Sequence, residues 1–435
     1  MAWRCPSTLP FRSKPTSSDS SPLPKTSGRG RAPSWKNAAP SSRDADRGSD
    51  CQPSTSRSLY LSSLRLTNFR NFADERLTIP REGVAIVGDN GQGKTNLLEA
   101  IYYLEIFRSF RGAPDDQLVR FGEDVCRVEG LVGGAGEART IAAAYDRRAR
   151  RKKVTVDGVE PDRIGDALGR VGVVMFSPAD VALVSGSPAG RRRFLDIVLS
   201  LTERHYLEDL QRYRQILLQR NAVLRAGEST ALVSAWNPGL VRAGSRVVAA
   251  RLRWVRSRRD SFAARIREIA NGSDAALEFD PSLPLDEEES GDDLDRVVAT
   301  FESELARTAD REQRRGATLV GPHRDDLRMR AASGGHGEWV DLRVYGSGGQ
   351  QRTAAVALRM VEADTLRERL GSEPVILLDD VFAELDVGRS QRILRWVDRE
   401  APAQVIITAP KPADIELRGG ALPVWSIRGG HVESL

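Results

Sequence analysis

The sequence predicts an α/β fold, a P-loop lobe of buried strands and helices interrupted by an all-α second lobe. Three observations predict it. Gly88-Asp89-Asn90-Gly91-Gln92-Gly93-Lys94-Thr95 follows an apolar, β-branched run at 84–87 and precedes apolar residues at helical spacing over 96–104. A second apolar run, 375–378, ends in the paired carboxylates Asp379 and Asp380. Between the two, from 190 to about 315, the apolar period becomes helical.

At 435 residues and 47.8 kDa the chain can hold two or three domains with sizeable cores. No run of about 18 apolar residues occurs, so no membrane-spanning helix is expected. Cys5, Cys51 and Cys126 are isolated, without a C-x-x-C pair, which argues against a disulfide framework or zinc site and fits a reducing cytoplasm. The sequence pI near 9.2 suggests nucleic acid, but the charge is uneven. Of 65 basic and 60 acidic residues, ten and four lie in 1–57, leaving 55 and 56 for the rest. Any binding patch must therefore be local.

In order, residues 1–57 are rich in Ser, Pro, Arg and Gly and read as a disordered tail. They form either a nucleic-acid-attracting arm or residues translated upstream of the true start. The first part of the P-loop lobe spans 58–189. Strands are expected at 59–66 and 73–79, and hairpin strands over 125–145. Phe107-Arg108-Ser109-Phe110-Arg111 sets cations among aromatics, and 147–153 is a dense basic run, either a solvated hairpin tip or a contact to phosphate. The helical lobe, 190–315, includes an acidic surface loop at 286–295. Strands resume at 317–320 and the second part of the P-loop lobe runs from 316 to 435.

The residue types of the P-loop follow from its chemistry. Glycines let successive backbone N–H groups curl around phosphate oxygens, and the next helix presents its N-terminus to the same anion. Lys94 is expected on the β- and γ-phosphates and the Thr95 hydroxyl on Mg²⁺. Asp379 is the expected second Mg²⁺ ligand, and Asp380 the general base or water-orienting group. Gly346-Ser347-Gly348-Gly349-Gln350-Gln351-Arg352-Thr353 matches the S-G-G-Q signature of ABC-type ATPases and opens a helical stretch. A hydroxyl and glycine N–H groups at a helix N-terminus again suit an anion. The fold class becomes an ABC-ATPase-type P-loop lobe with an inserted all-α lobe.

The chain resembles the RecF family, bacterial recombination-mediator ATPases related to structural-maintenance-of-chromosomes heads. The resemblance spans residues 59–435. It rests on Asn68-Phe69-Arg70-Asn71, the P-loop, 107–111, Gly186-Ser187-Pro188, 191–196 and Gln219-Arg220-Asn221. Gly321-Pro322-His323-Arg324-Asp325-Asp326, 349–353 and 378–386 complete it. It implies that Asn68 and Arg70 join the nucleotide site. It also implies that Ser347, Gly348, Gly349 and Gln350 complete the site of a second copy in trans. ATP-dependent homodimerisation, binding to DNA at gaps or single-strand/double-strand junctions, slow DNA-stimulated ATP hydrolysis, and help from RecR and RecO in loading RecA on strands coated by SSB are the implied activities. The chain departs from the family at the signature, where Gly348 stands beside Gly349, and from transporter ATPases in having Asp380 for Glu. Residues 176–178 fill the Q-loop region, and Thr408 stands where a switch His would be. His323 is either a packing residue or a nucleotide sensor, and Arg324 and Asp325 are expected to couple the helical lobe to the site. Two rival readings are an ABC transporter subunit, for which no Q-loop Gln is found, and a chromosome-organising head, whose long heptad arm is missing.

Overall fold

A computed structural model of the chain describes residues 59–134, 137–270, 272–285, 293–332, 338–381, 387–399, 403–409 and 422–435. The expected tail lies outside them, as do most of the acidic loop and residues 382–386.

The strands are β1 Tyr60–Phe69, β2 Phe72–Thr78, β3 Gly83–Val87, β4 Val125–Gly133, β5 Arg139–Asp146, β6 Arg151–Val156 and β7 Val173–Phe176. They continue with β8 Ala275–Asp280, β9 Asp326–Ala332, β10 Trp339–Asp341, β11 Val375–Asp379, β12 Val405–Ala409, β13 Val424–Arg428 and β14 His431–Ser434. An antiparallel sheet runs β2-β1-β4-β5-β6, and a six-stranded sheet runs β14-β13-β3-β12-β11-β7, parallel except at β14.

The six-stranded sheet is apolar on both faces, which is why its strands read as unbroken apolar runs. Alternate residues serve two clusters. Val84, Ile86, Val173, Met175, Leu377 and Ile406 pack with Leu97, Leu98 and Ile101 of the P-loop helix, Lys94–Ile106, and with the antiparallel sheet. Ala85, Val87, Val174, Phe176, Ile376, Leu378 and Ile407 face the other way. They share one core with the signature helix, Gly348–Leu370, and with Val247, Val248 and Leu252 of the long helix Asn237–Ile269.

The expected helical block is present in Pro188–Thr202, Tyr206–Arg225, Asn237–Ile269 and Leu294–Arg315. Two expectations need correction. The block is not all-α, because β8 lies within it and pairs with β9, which pairs with β10. Residues 317–320 form no strand. The backbone N–H groups of Thr318 and Leu319 donate instead to side chains, Asn221 Oδ1 at 2.8 Å and Glu312 Oε1 at 2.7 Å. Their hydrogen bonds are met without a partner strand.

Candidate nucleotide-binding site

The register of the six-stranded sheet brings the site together. β12 lies between β3 and β11, with Thr408 level with Asp379 on one side and Ile86 on the other. The P-loop leaves the end of β3 and the paired carboxylates leave the end of β11, both at the carboxyl edge where open α/β sheets hold ligands.

Gly93, at φ +124°, caps the P-loop helix, and no side chain caps its first turn. Those first-turn N–H groups are free of a side-chain acceptor, as an anion cradle requires. A Cβ on Gly93 would stand 2.6 Å from Asn71 Nδ2, so the loop closes against β1–β2 only with glycine there. Lys94 is buried, and its ammonium donates to the Gly88 and Asp89 carbonyls inside the curl of the loop.

Thr95 Oγ1 donates to Asp379 Oδ1 at 3.0 Å, and so does Thr408 Oγ1 at the same distance. The Thr408 oxygen in turn accepts from the Asp380 N–H at 3.1 Å. Burial pushes the Asp379 carboxyl up, opposed by the hydrogen bonds from Thr408 and Thr95 and by Arg111. Asp380 sits at φ 46°, a left-handed conformation that Asp tolerates better than most residues, and its Oδ1 is buried without a hydrogen-bond partner. The Thr95 and Asp379 oxygens are a hard, two-donor set that fits Mg²⁺ shared with phosphate oxygens and water.

Asn68 and Arg70 lie beside the loop rather than in it. Both have positive φ, 50° and 55°. The Arg70 guanidinium forks onto the buried Glu99 carboxylate at 2.8 and 2.9 Å, and Asn68 Nδ2 donates to Glu123 at 3.3 Å. Asn71 and Arg111 join the neighbourhood without having been expected there, and Gln92, expected as a loop residue, gains a contact outside the loop. Asn71 Nδ2 donates to the Gln92 carbonyl at 2.8 Å, while its Oδ1 accepts from Asn96. Gln92 Oε1 accepts from the Gly429 N–H of the β13–β14 turn. Arg111 reaches Asn96 Oδ1 at 3.2 Å and remains half exposed. Asn71 and Arg111 sit in quoted stretches, 68–71 and 107–111, but their roles depend on contacts across β1, β2 and the P-loop helix.

The signature residues form a reciprocal cap. Ser347 Oγ accepts from the Gln350 N–H at 3.2 Å and Gln350 Oε1 accepts from the Ser347 N–H at 2.8 Å. Ser347, Gly348 and Gln350 are exposed and Gly349 is half-buried, with Arg389 packed close to it. His323 is half-buried; its Nε2 donates to the Thr318 carbonyl at 3.1 Å, so Nδ1 accepts from the Tyr213 hydroxyl at 2.6 Å. Burial lowers its pKa to about 4, and the ring is neutral. Asp325 ties the neighbouring turn to the long helix through Arg251, at 3.0 Å.

Comparison with known proteins agrees with this geometry. The family model described as the RecF/RecN/SMC N-terminal domain matches residues 60–419. Curated proteins named "DNA replication and repair protein RecF" match along most of their length. The one from Synechococcus sp. (strain JA-2-3B'a(2-13)) is 36% identical over 356 residues, 80% of this chain and 91% of its own. The one from Symbiobacterium thermophilum is 37% identical over 367 residues, 83% and 94%. The chain belongs to the RecF family. A solved structure described as the recombination mediator protein RecF with ATP, in the RecFOR pathway, superposes on this RecF-family chain with a TM-score of 0.79 at 30% identity. The match covers 88% of this chain and all of the other. An Smc head domain from Pyrococcus furiosus gives a TM-score of 0.50 at 15% identity, over 87% and 96%, which shows a shared fold. The ABC-type α/β architecture expected from the motifs is therefore the one found. No helix among the described residues is long and apolar enough to cross a membrane.

Proposed function

We propose that this RecF-family chain is an ATP-gated DNA-binding protein of recombinational repair and replication-gap rescue. Lys94 and the loop N–H groups hold the triphosphate, Thr95 and Asp379 ligate Mg²⁺, and Asp380 orients the attacking water. Bound ATP·Mg²⁺ supplies a polarised γ-phosphoryl group. Asn68 and Arg70 shape the wall of the site, Arg70 through Glu99. Ser347, Gly348, Gly349 and Gln350 of one copy cover the γ-phosphate held by another, and hydrolysis reopens the pair. The ATPase is then a slow, DNA-stimulated timer, because the nucleotide shifts a dimerisation equilibrium rather than yielding a needed product. DNA gaps or junctions are the substrate, and RecR, RecO, RecA and SSB the working partners in the cytoplasm.

One observation carries the trans arrangement. The signature cap is exposed, and immediately before it Val344 and Tyr345 are 65% and 73% exposed. A capped, anion-ready helix start flanked by uncovered apolar side chains suits a surface that closes on a second copy. Sedimentation with ATP and Mg²⁺ should show dimers for the natural sequence and monomers for Ser347→Arg, with ATP affinity retained. Lys94→Arg should bind ATP, lose turnover and stay on DNA as a closed dimer. Dimerisation by Ser347→Arg would sink the trans site. Release of Lys94→Arg from DNA at the natural rate would sink the timer.

A further inference from the structure

Among the described residues the most exposed large apolar side chain is Phe121, at 99%. Burying a Phe side chain is strongly favourable, and this one gains almost none of that stabilisation. It stands at the corner of a tight turn, Arg120-Phe121-Gly122-Glu123, closed by the Glu123 N–H on the Arg120 carbonyl at 3.1 Å, with Gly122 at φ +88°. The turn is anchored. The Arg120 N–H donates to the Asn68 carbonyl at 2.8 Å, and Val119 beneath it is buried.

Against this turn packs the basic hairpin tip between β5 and β6. Six of the seven residues 147–153 are Arg or Lys. Arg147 turns inward, its guanidinium on the Asp116 and Val119 carbonyls at 3.1 Å, which docks the hairpin on the Phe121 loop. Lys152 also turns inward, to Asp115 at 2.8 Å. Arg148, Arg150, Arg151 and Lys153 face solvent. Arg148 pairs with Asp124, and Arg151 and Lys153 lie near Glu160, all on exposed side chains. Such exposed pairs contribute little to stability and exchange readily for phosphate.

We propose that Phe121 and the Arg148–Arg150–Arg151 tip form a DNA contact surface, in which the arginines hold phosphates and the Phe ring stacks on an unpaired base. The ring face decides the substrate. In continuous duplex every base is already stacked on two neighbours, so a lone protruding ring finds a partner, without the cost of unstacking base steps, at a gap, an end or a single strand. Four solvent-facing cations on the hairpin docked against this turn favour a polyanion over an apolar protein groove. The inference rests on the DNA-binding reading above and specifies where on the chain the junction is felt.

The test uses the full chain with ATP and fluorescent gapped, duplex and single-stranded DNA across a salt series, together with 2-aminopurine placed at the gap. Phe121→Ala should weaken gapped and single-stranded binding roughly tenfold, leave duplex binding and the salt slope unchanged, and abolish the 2-aminopurine quenching. Phe121→Trp should restore both. The Arg148→Ala/Arg150→Ala/Arg151→Ala variant should weaken all three DNAs alike and flatten the log-affinity against log-salt slope by about 2–3. ATP-analogue affinity should match the natural chain in every variant, since these side chains lie outside the P-loop. If Phe121→Ala bound all three DNAs as the natural chain does, or lost them in equal measure, the surface would be refuted and the turn would belong to a protein interface. If the natural chain bound no DNA with or without ATP, the DNA-binding reading itself would fall.

Discussion

At the scale of single residues, Thr408 is the position whose role the structure changes most. One hydroxyl donates to Asp379 and accepts from the Asp380 backbone, so it fixes the direction in which both carboxylates leave β11. It is a positioning residue, and Thr408→Val should lower kcat about tenfold while the ATP dissociation constant moves far less, the loss expected for one buried hydrogen bond. Equal losses in both would make it a binding residue instead. His323 makes a different prediction. Its pKa falls from 6.5 in the unfolded chain to about 4 when folded, so the unfolded state binds the extra proton between those values. Its share of stability is complete above about pH 6.5 and is lost as pH falls toward 4, on the order of 3 kcal/mol. Urea midpoints at pH 7.5 and 4.5 should differ less in His323→Gln than in the natural chain. An identical pH dependence would refute the neutral, hydrogen-bonded ring.

At the scale of elements, the insert is fastened to the rest by buried charge. Arg251 of the long helix donates to Asp196 at 2.8 Å, Asp325 at 3.0 Å and the Pro322 carbonyl at 2.7 Å, and Tyr206 donates to Asp196 at 2.7 Å. Arg191 forks onto Asp326 at 2.7 and 2.8 Å. The Arg-rich start of Pro188–Thr202 and the Gly321–Asp326 stretch, quoted far apart in sequence, therefore meet as one knot. Removing one partner leaves charge buried without compensation, so Arg251→Met should cost about 3–5 kcal/mol in chemical denaturation. A loss below about 1 kcal/mol would mean that water reaches the knot. Elements defined by local pattern were legible in sequence: the P-loop helix, the two apolar strands beside the site and the long helices all carry their period within a few residues. β8 was not, because Ala275–Asp280 is short and its partner β9 lies some fifty residues on. Residues 317–320 misled for the opposite reason, an apolar pattern whose backbone is satisfied by Asn221 and Glu312 side chains.

At the scale of the whole molecule, both faces of one parallel sheet serve as core, and the insert contributes to one of them. The sequence alone suggested a separate helical lobe, since the change of period at residue 190 is sharp. Packing joins Val247 and Leu252 to Ile376 and Leu378 in a single cluster. Thermal unfolding followed by circular dichroism and by release of a bound ATP analogue should therefore give coincident midpoints. A separate earlier transition for the helices would contradict the shared core. The P-loop and the paired carboxylates could be picked out because nucleotide chemistry constrains types and spacing along the chain; the contacts of Asn71 and Arg111, and that of Gln92 to the β13–β14 turn, could not, because they exist only once β1, the P-loop helix and that turn are adjacent.

The long helix has a mechanical consequence. It has 33 residues, about 50 Å at 1.5 Å per residue. Near its C-terminal end Arg258 pairs with Glu368 and Arg265 with Asp364, both on the signature helix, and the Ile269 carbonyl accepts from Arg392 of Val387–Arg399, beyond β11. The other end, at Asn237, holds Arg220 at 3.0 Å. As a rigid unit it is a lever whose short arm is clamped to the C-terminal end of the signature helix. A tilt of about five degrees there would sweep the Asn237 end through roughly 3–4 Å, so a small shift of the signature helix would be enlarged along the long helix.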